Sequence, residues 1–424
     1  MAEIPRETSG ATDEKTVTIL HLSDIQFGVN HRFGRLGLGA KDESFDTLLR
    51  RVTDDLDVLR KAKVPNPDIV ALTGDLAEWG LKKEYDDVLG FCRGLAAHLG
   101  HGVERVLVVP GNHDINRNKC LGYFANCAGD DETPKEPWWP KWEPFAQFFD
   151  TLYGGKYSFT QEQPWTLYEL PDLQTVVAGL NSTMRESHKE QEAPDPKKPN
   201  VPESIFGHYG WLGESQLEWF RRQLEAYEAK EWLRIGLVHH NAIRGPVGDD
   251  HNLRDVDLLR DRLGELLNAL LHGHTHHGRI EWLAGTLPVV STGSASVVAK
   301  ERPEEIPNQY QIIQVHRHGL HRWGRQYVPH ERKWVGDNRI STKGDKWEDH
   351  QRCKHQRCSA TFGGRERQAS LKLDNGGDDD SGDPYGRARL EPARDDLLAQ
   401  VIEICKVRDE GGRVEVRRVR NPGP

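Results

Sequence analysis

Five short stretches of this chain run from apolar residues into side chains that can hold a cation. They are Leu20-His21-Leu22-Ser23-Asp24-Ile25-Gln26, Asp68 to Thr73 followed by Gly74-Asp75, Val108-Val109-Pro110-Gly111-Asn112-His113-Asp114, Gly236-Leu237-Val238-His239-His240, and Leu271-His272-Gly273-His274-Thr275-His276. Each apolar run reads as a buried strand. A polar residue just past such a strand lies at the C-terminal edge of a sheet, where α/β folds keep their chemistry. One ending of this kind is an ordinary turn. Five in order are hard to explain by burial alone. Carboxylate oxygens, imidazole nitrogens and a carboxamide oxygen form a mixed donor set that suits Mn, Fe or Zn better than Ca, with no thiolate needed. Asp75, with two oxygens, is the natural bridge between two ions, and the two imidazoles of His274 and His276 can line one cleft.

The elements that must position these residues follow from periodicity. Val17–Leu22, Asp68–Thr73 and Arg105–Val109 read as strands. Ser44 to Ala62 (Phe45, Leu48, Leu49, Val52, Leu56, Leu59) and Lys82 to Leu99 read as helices. Strand and helix alternate, as in βαβ units. The Gly-rich stretch Gln26–Ala40 reads as a loop. The aromatic cluster Trp138, Trp139, Trp142, Phe145, Phe148, Phe149 and Tyr153 reads as the core face of a helix, or else as a wall over a substrate. Further on, Gln174–Leu180 and Leu233–Val238 read as strands, Glu214–Lys230 and Leu253–Leu263 as helices, and Leu267–Leu271 leads into the His cluster. Ile280–Leu283, Leu287–Ser291, Gln309–Val315 and Leu320–Gln326 read as short strands of a second sheet.

The chain has 424 residues, 36% hydrophobic, with a net charge of -9. That length allows two or three domains, although one large sandwich can use roughly 250 residues. No global basic field is present to draw nucleic acid. Six cysteines are too sparse for a disulfide framework and suit a reducing compartment. The polar N-terminus lacks an apolar core segment, and no apolar run approaches ~18 residues. The expectation is a cytoplasmic protein with no membrane partner. Residues 1–15 read as a disordered arm and 16–330 as the folded domain. Residues 331–424, rich in charge and Gly, read as a mostly disordered tail, with Asp395–Lys406 the one helical stretch.

Asp24-x-Gln26, Gly74-Asp75, Gly111-Asn112-His113-Asp114, His239 and Gly273-His274-Thr275-His276 together resemble the five blocks of the calcineurin-like metallophosphoesterases. The Val238-His239-His240 stretch and the block spacing resemble the bacterial cyclic-AMP-phosphodiesterase-like branch. The resemblance covers roughly residues 17–330. It implies a four-layer α/β/β/α sandwich of two mixed sheets flanked by helices. It implies two divalent metals: Asp24, Gln26, Asp75 and His276 hold the first, and Asp75, Asn112, His239 and His274 hold the second. His113 then faces the phosphate, with Asp114 orienting it, while His240 and Arg117 are candidates for substrate contact. The implied reaction is hydrolysis of a small phosphodiester, such as a cyclic nucleotide or glycerophosphodiester. A nuclease of the same fold is the alternative substrate class, and a non-catalytic scaffold the alternative of another kind.

One position departs from the family, which has His where this chain has Gln26. Three outcomes are open. Gln26 could ligate through its weaker carboxamide oxygen, His31 could replace it, or the first site could bind no metal. Arg185 and Arg244 lie in loops near motif ends and read as phosphate contacts or surface cations. The tandem His350-Gln-Arg-Cys353-Lys-His355-Gln-Arg-Cys358 could bind Zn, although its spacing is not that of a standard finger.

Overall fold

Strand β1 (Thr16–Leu22) is buried from its second residue onward, so its apolar run has no solvent face. It pairs in parallel with β2 (Ile69–Thr73), which pairs in parallel with β3 (Val106–Val109). The crossovers are helices α1 (Leu48–Lys61) and α2 (Lys82–Leu99). The Thr47 side chain caps α1 by accepting from the Arg50 N–H. Gly100, in the left-handed region, ends α2. The chain is seen here as a computed structural model that describes residues 15–33, 47–187, 209–243, 252–317, 319–337 and 339, and the strands 348–352, 403–408 and 414–419.

Helices α3 (Arg117–Gly129) and α4 (Glu143–Tyr153) lead to the second sheet. Its strands are β4 (Thr166–Leu170), β5 (Thr175–Gly179), β6 (Leu233–Leu237), β7 (Ala269–His272), β8 (Arg279–Leu283) and β9 (Leu287–Ser291). Their order is β4-β5-β6-β7-β9-β8, with parallel pairing in the middle and antiparallel strands at both edges. Helices α5 (Glu214–Glu228) and α6 (Val256–Leu263) cover one face: Val176, Ala178, Leu270 and Val289 share a core with Leu217, Phe220 and Leu259. The alternate residues Val177, Ile235, Leu271 and Val290 join the core of the first sheet. That alternation is the period-two signature of a sheet buried on both faces. Two mixed sheets therefore pack together between helices, as a four-layer α/β/β/α sandwich.

The last strands differ from the sequence expectation. Only β8 and β9 belong to the second sheet. Strands β10 (Gln309–His316) and β11 (Gly319–Val328) return to the first, where β10 pairs antiparallel to β1 with Ile313 opposite Ile19. Strand β12 (Lys333–Gly336) extends that sheet past residue 330, with Trp334 buried against Tyr310 and Tyr327. Strand β13 (Glu348–Arg352) also pairs with β11. Separately, β14 (Glu403–Arg408) and β15 (Val414–Val419) form a two-stranded ladder, so the expected helix does not continue through 403–406, and 395–402 lie outside the described residues. Cys353, His355 and Cys358 of the tandem repeat also lie outside them.

The aromatic cluster resolves to core. Phe145, Phe148, Phe149 and Tyr153 are all buried in the shared core with Trp142. Among the described residues, no helix is long and apolar enough to cross a membrane.

Candidate metal centre

Asp24 follows β1, Asp75 follows β2, Asn112 follows β3, His239 follows β6 and His274 follows β7. Both sheets thus deliver their strand ends to one edge, and the five motifs meet there. Asp75, His239 and His274 place their ligating atoms within 4.8 Å of one another. His239 Nε2 lies 3.0 Å from Asn112 Oδ1, 3.3 Å from Asp75 Oδ2 and 3.1 Å from His274 Nδ1. One ring nitrogen cannot satisfy three such neighbours by hydrogen bonding, whereas a cation shared among them can. Alongside, His276 Nε2 lies 3.0 Å from Asp24 Oδ1, and the Gln26 amide donates to the same Asp75 Oδ2 at 3.4 Å.

The backbone is bent to achieve this. Asp24 (φ 52°), Gln26 (31°), Asp75 (52°), His274 (65°) and His276 (50°) all occupy the left-handed region. Each costs about 1–2 kcal/mol in an L-residue, and such strain collects at functional sites. It is offset by a dense main-chain network. Asp24 N–H donates to Gly74 C=O at 3.1 Å and Gln26 N–H to Asp75 C=O at 2.8 Å. The Asp114 carboxylate accepts from Gly111 N–H (2.9 Å), Leu76 N–H (3.1 Å), Ala77 N–H (3.0 Å) and the Tyr85 hydroxyl (3.1 Å).

Main-chain carbonyls set the imidazoles. Thr73 C=O takes His239 Nδ1–H at 2.8 Å, Glu301 C=O takes His276 Nδ1–H at 2.9 Å and Glu78 C=O takes His113 Nδ1–H at 2.9 Å. Each ring then has Nε2 left for the site, which is how ligating histidines are commonly oriented.

The electrostatics call for positive charge. Burial raises Asp24 and Asp75, but the facing imidazoles outweigh it: His276 holds Asp24 below its usual value, and His239 and His113 hold Asp75 well below. Burial lowers His239, yet Asp75 and Asp24 outweigh it and carry His239 up to about 9. Burial and the neighbouring His240 and His239 keep His274 well below its normal value, in the neutral form a metal needs. Two ionised carboxylates in a buried cluster with imidazole and amide donors fit divalent cations, and His239, protonated by its carboxylate neighbours, would give up that proton to ligate.

Gly74 has no room for a side chain. Its φ is +90°, and a Cβ there would lie 2.5 Å from His239 Nδ1, the atom bonded to Thr73. Gly74→Ala is expected to displace His239 and lower metal affinity about 10–100-fold, read as the Mn²⁺ retained after dialysis against a chelator series.

The structure places several of the expected residues in other contacts. The Asp114 carboxylate braces the loop carrying Asp75, and the Glu78 carbonyl holds the His113 imidazole. His31 does not replace Gln26: its Nδ1 bonds Ile25 C=O at 2.7 Å and its ring stacks on Phe27. His240 is fully buried behind His274, bonded to Ser182 at 2.8 Å, and does not line the cleft. Arg117 lies over the Trp79 ring and Arg185 over the Trp211 ring, both outside the cleft lining. Arg244 falls outside the described residues. The cleft itself, about 780 Å³, exposes Gln26, Asp75, Asn112, His113, His274 and His276, with Asn30, Asn241, Asn252, Arg279 and Arg302 among its other walls. The last five were not singled out by sequence, because no motif marks them.

The calcineurin-like phosphoesterase family model matches residues 17–278, and the chain belongs to that family. It is 22% identical over 219 residues to a probable glycerophosphodiester phosphodiesterase of Arcobacter nitrofigilis, covering 50% of this chain and 58% of that protein's length. Solved structures with similarity include a dimetal phosphatase from Danio rerio (14% identity, 76% of this chain and 98% of that one, TM-score 0.43). Vacuolar Protein Sorting 29 from Cryptosporidium parvum matches at 11% identity, over 76% of this chain and 96% of that one, with a TM-score of 0.29.

Proposed function

We propose that this chain is a metal-dependent phosphodiesterase that hydrolyses a small phosphodiester, such as a glycerophosphodiester or a cyclic nucleotide. The observation that carries this reading is the convergence of Asp75, Asn112, His239 and His274 on one point, with Asp24 and His276 paired alongside and His113 on the same cleft. Asp24, Gln26, Asp75 and His276 would hold one ion, and Asp75, Asn112, His239 and His274 the other. Divalent ions of the Mn, Fe or Zn kind, when bound, supply Lewis-acid activation of water and neutralise phosphate charge. His113, its Nδ1–H fixed on Glu78, presents Nε2 to the cleft and would hold or deliver a proton at the leaving oxygen. Asn112 and His113 are adjacent residues, so one metal ligand and the proton donor share one turn. The diester reading is supported by the name of the Arcobacter relative and by a cleft far larger than a phosphate. A net charge of -9 supports a small substrate over a nucleic acid. Among the described residues Cys92, Cys120 and Cys127 are free thiols, which supports a reducing, cytoplasmic setting.

The test is hydrolysis of bis-p-nitrophenyl phosphate beside p-nitrophenyl phosphate, with Mn²⁺ and with EDTA, for wild type and His113→Asn. Metal-dependent diester turnover that falls about 10²–10⁴-fold in the variant, with metal content unchanged, supports the role of His113. Turnover of the monoester alone would overturn the diester reading.

Gln26 gives a second expectation. Its amide is a weaker ligand than an imidazole. Gln26→His is therefore expected to raise retained Mn²⁺ at the first site. Unchanged retention would show that residue 26 does not ligate.

A further inference from the structure

The cleft carries more charge than a single phosphate and its ligands require. Beyond the metal-centre residues it is lined by three cations, Arg279, Lys300 and Arg302, against two carboxylates, Glu281 and Glu301. Lys300 lies 3.4 Å from Glu301, so that pair is mutually neutralised. Among the described residues, neither Arg279 nor Arg302 lies within ion-pair distance of a carboxylate.

Arg302 is held by the main chain instead. Its Nε donates to Val297 C=O at 3.0 Å, and Nη1 donates to Ile306 C=O. These bonds fix the plane of a half-buried guanidinium while supplying no negative charge. Burial, with Arg32 and Arg339 nearby, lowers Arg302 to about 10, the mark of a cation among like charges. Arg339 is paired with Asp337 at 3.0 Å, while Arg32 donates to the neutral Asn308 amide at 3.1 Å and lies over the Tyr327 ring. Arg279, exposed on the same lining, spends its Nε on His277 Nδ1 at 3.1 Å, an imidazole kept low chiefly by burial. A partly desolvated guanidinium fixed in a cleft without a counter-charge is costly unless an anion reaches it. Its planar fork matches phosphate oxygens two at a time. The preceding residue, Glu301, gives its carbonyl to His276, so Arg302 is tied in position to the metal centre.

We propose that Arg302 and Arg279 form a second anion subsite in this cleft, and that the small phosphodiester hydrolysed carries a second phosphate on one of its ester groups. The proposal rests on the phosphoesterase reading for the first phosphate only. The amide side chains Asn241 and Asn252 on the same lining suit the hydroxyls of a small polar linker between the two.

The test is calorimetric binding of two probes to the Mn²⁺-loaded full chain: propane-1,3-diyl bisphosphonate and propylphosphonate. Wild type is expected to prefer the bisphosphonate at least ~10-fold, the scale of one charge-assisted contact. Arg302→Gln and Arg279→Gln should each cut that preference, and the double variant should abolish it, with propylphosphonate affinity unchanged. Equal binding of both probes by wild type, or a preference surviving in the double variant, would overturn the subsite. If Arg302→Gln lowers the melting temperature, exposed Arg279→Gln decides alone. Preference without any phosphoester turnover would contradict the proposed reaction and leave the subsite standing. Turnover without preference would do the reverse.

Discussion

Asp75→Asn is expected to leave a folded protein with diester turnover reduced by about 10²–10³-fold or more, the scale of losing one preorganised electrostatic group. Asp75 is 1% exposed, and both its oxygens are committed. Oδ1 accepts His113 N–H at 2.8 Å, while Oδ2 faces His239 Nε2 at 3.3 Å and Gln26 Nε2 at 3.4 Å. Asparagine keeps the shape but removes the charge and turns one acceptor into a donor. An NH₂ group then meets a ring nitrogen or another amide where a cation should sit. Both proposed ions share this carboxylate, so retained metal should fall together with turnover. Far-UV circular dichroism like that of wild type would confine the loss to the site. Full turnover in this variant would mean that the cluster is not the reaction centre.

Asp55→Ala is expected to cost about 3–5 kcal/mol of stability without touching the cleft. Asp55 lies on α1 and is 5% exposed. Its carboxylate accepts Arg325 Nε at 2.7 Å, Arg325 Nη2 at 2.5 Å and the Tyr310 hydroxyl at 2.5 Å. Arg325 Nη2 also donates to Trp334 C=O at 3.2 Å. One helix is thereby tied to β10, β11 and β12. The alanine leaves a buried guanidinium without its counter-charge, which is worse than having neither partner. The double variant Asp55→Ala/Arg325→Met should therefore recover part of the loss. Thermal melts read this as a fall of roughly 6 °C or more for the single variant. A single-variant loss below ~1 kcal/mol would show that the pair is not buried as described.

These two residues differ in how plainly the sequence announces them. Asp75 follows a strand inside one contiguous motif, and so do Asp24, Asn112, His239 and His274; local chemistry and position coincide there. The pairing of Asp55 with Arg325 spans 270 residues and has no local signal. The same limit explains the sheet assignment. Apolar alternation marks Gln309–Val315 as a strand, but not that it returns to lie beside β1. Strand β12 is hidden because Trp334 sits among charged residues. His31 looked available as a ligand because a histidine in a Gly-rich loop carries no mark of the Ile25 carbonyl that holds it. The carbonyls of Thr73, Glu78 and Glu301, which orient three imidazoles, belong to residues whose side-chain types are irrelevant to the task. Arg302 is invisible for a related reason: among the described residues no carboxylate lies within ion-pair distance of it, which only the folded chain reveals.

The most direct test of the central claim is a Mn²⁺ titration of the full chain, with bound metal counted by mass spectrometry and diester turnover followed in the same samples. The proposed centre predicts two equivalents per chain, with turnover rising as the second binds. A folded protein that takes up no Mn²⁺, Fe²⁺ or Zn²⁺, or that turns over the diester equally well in EDTA, would contradict it.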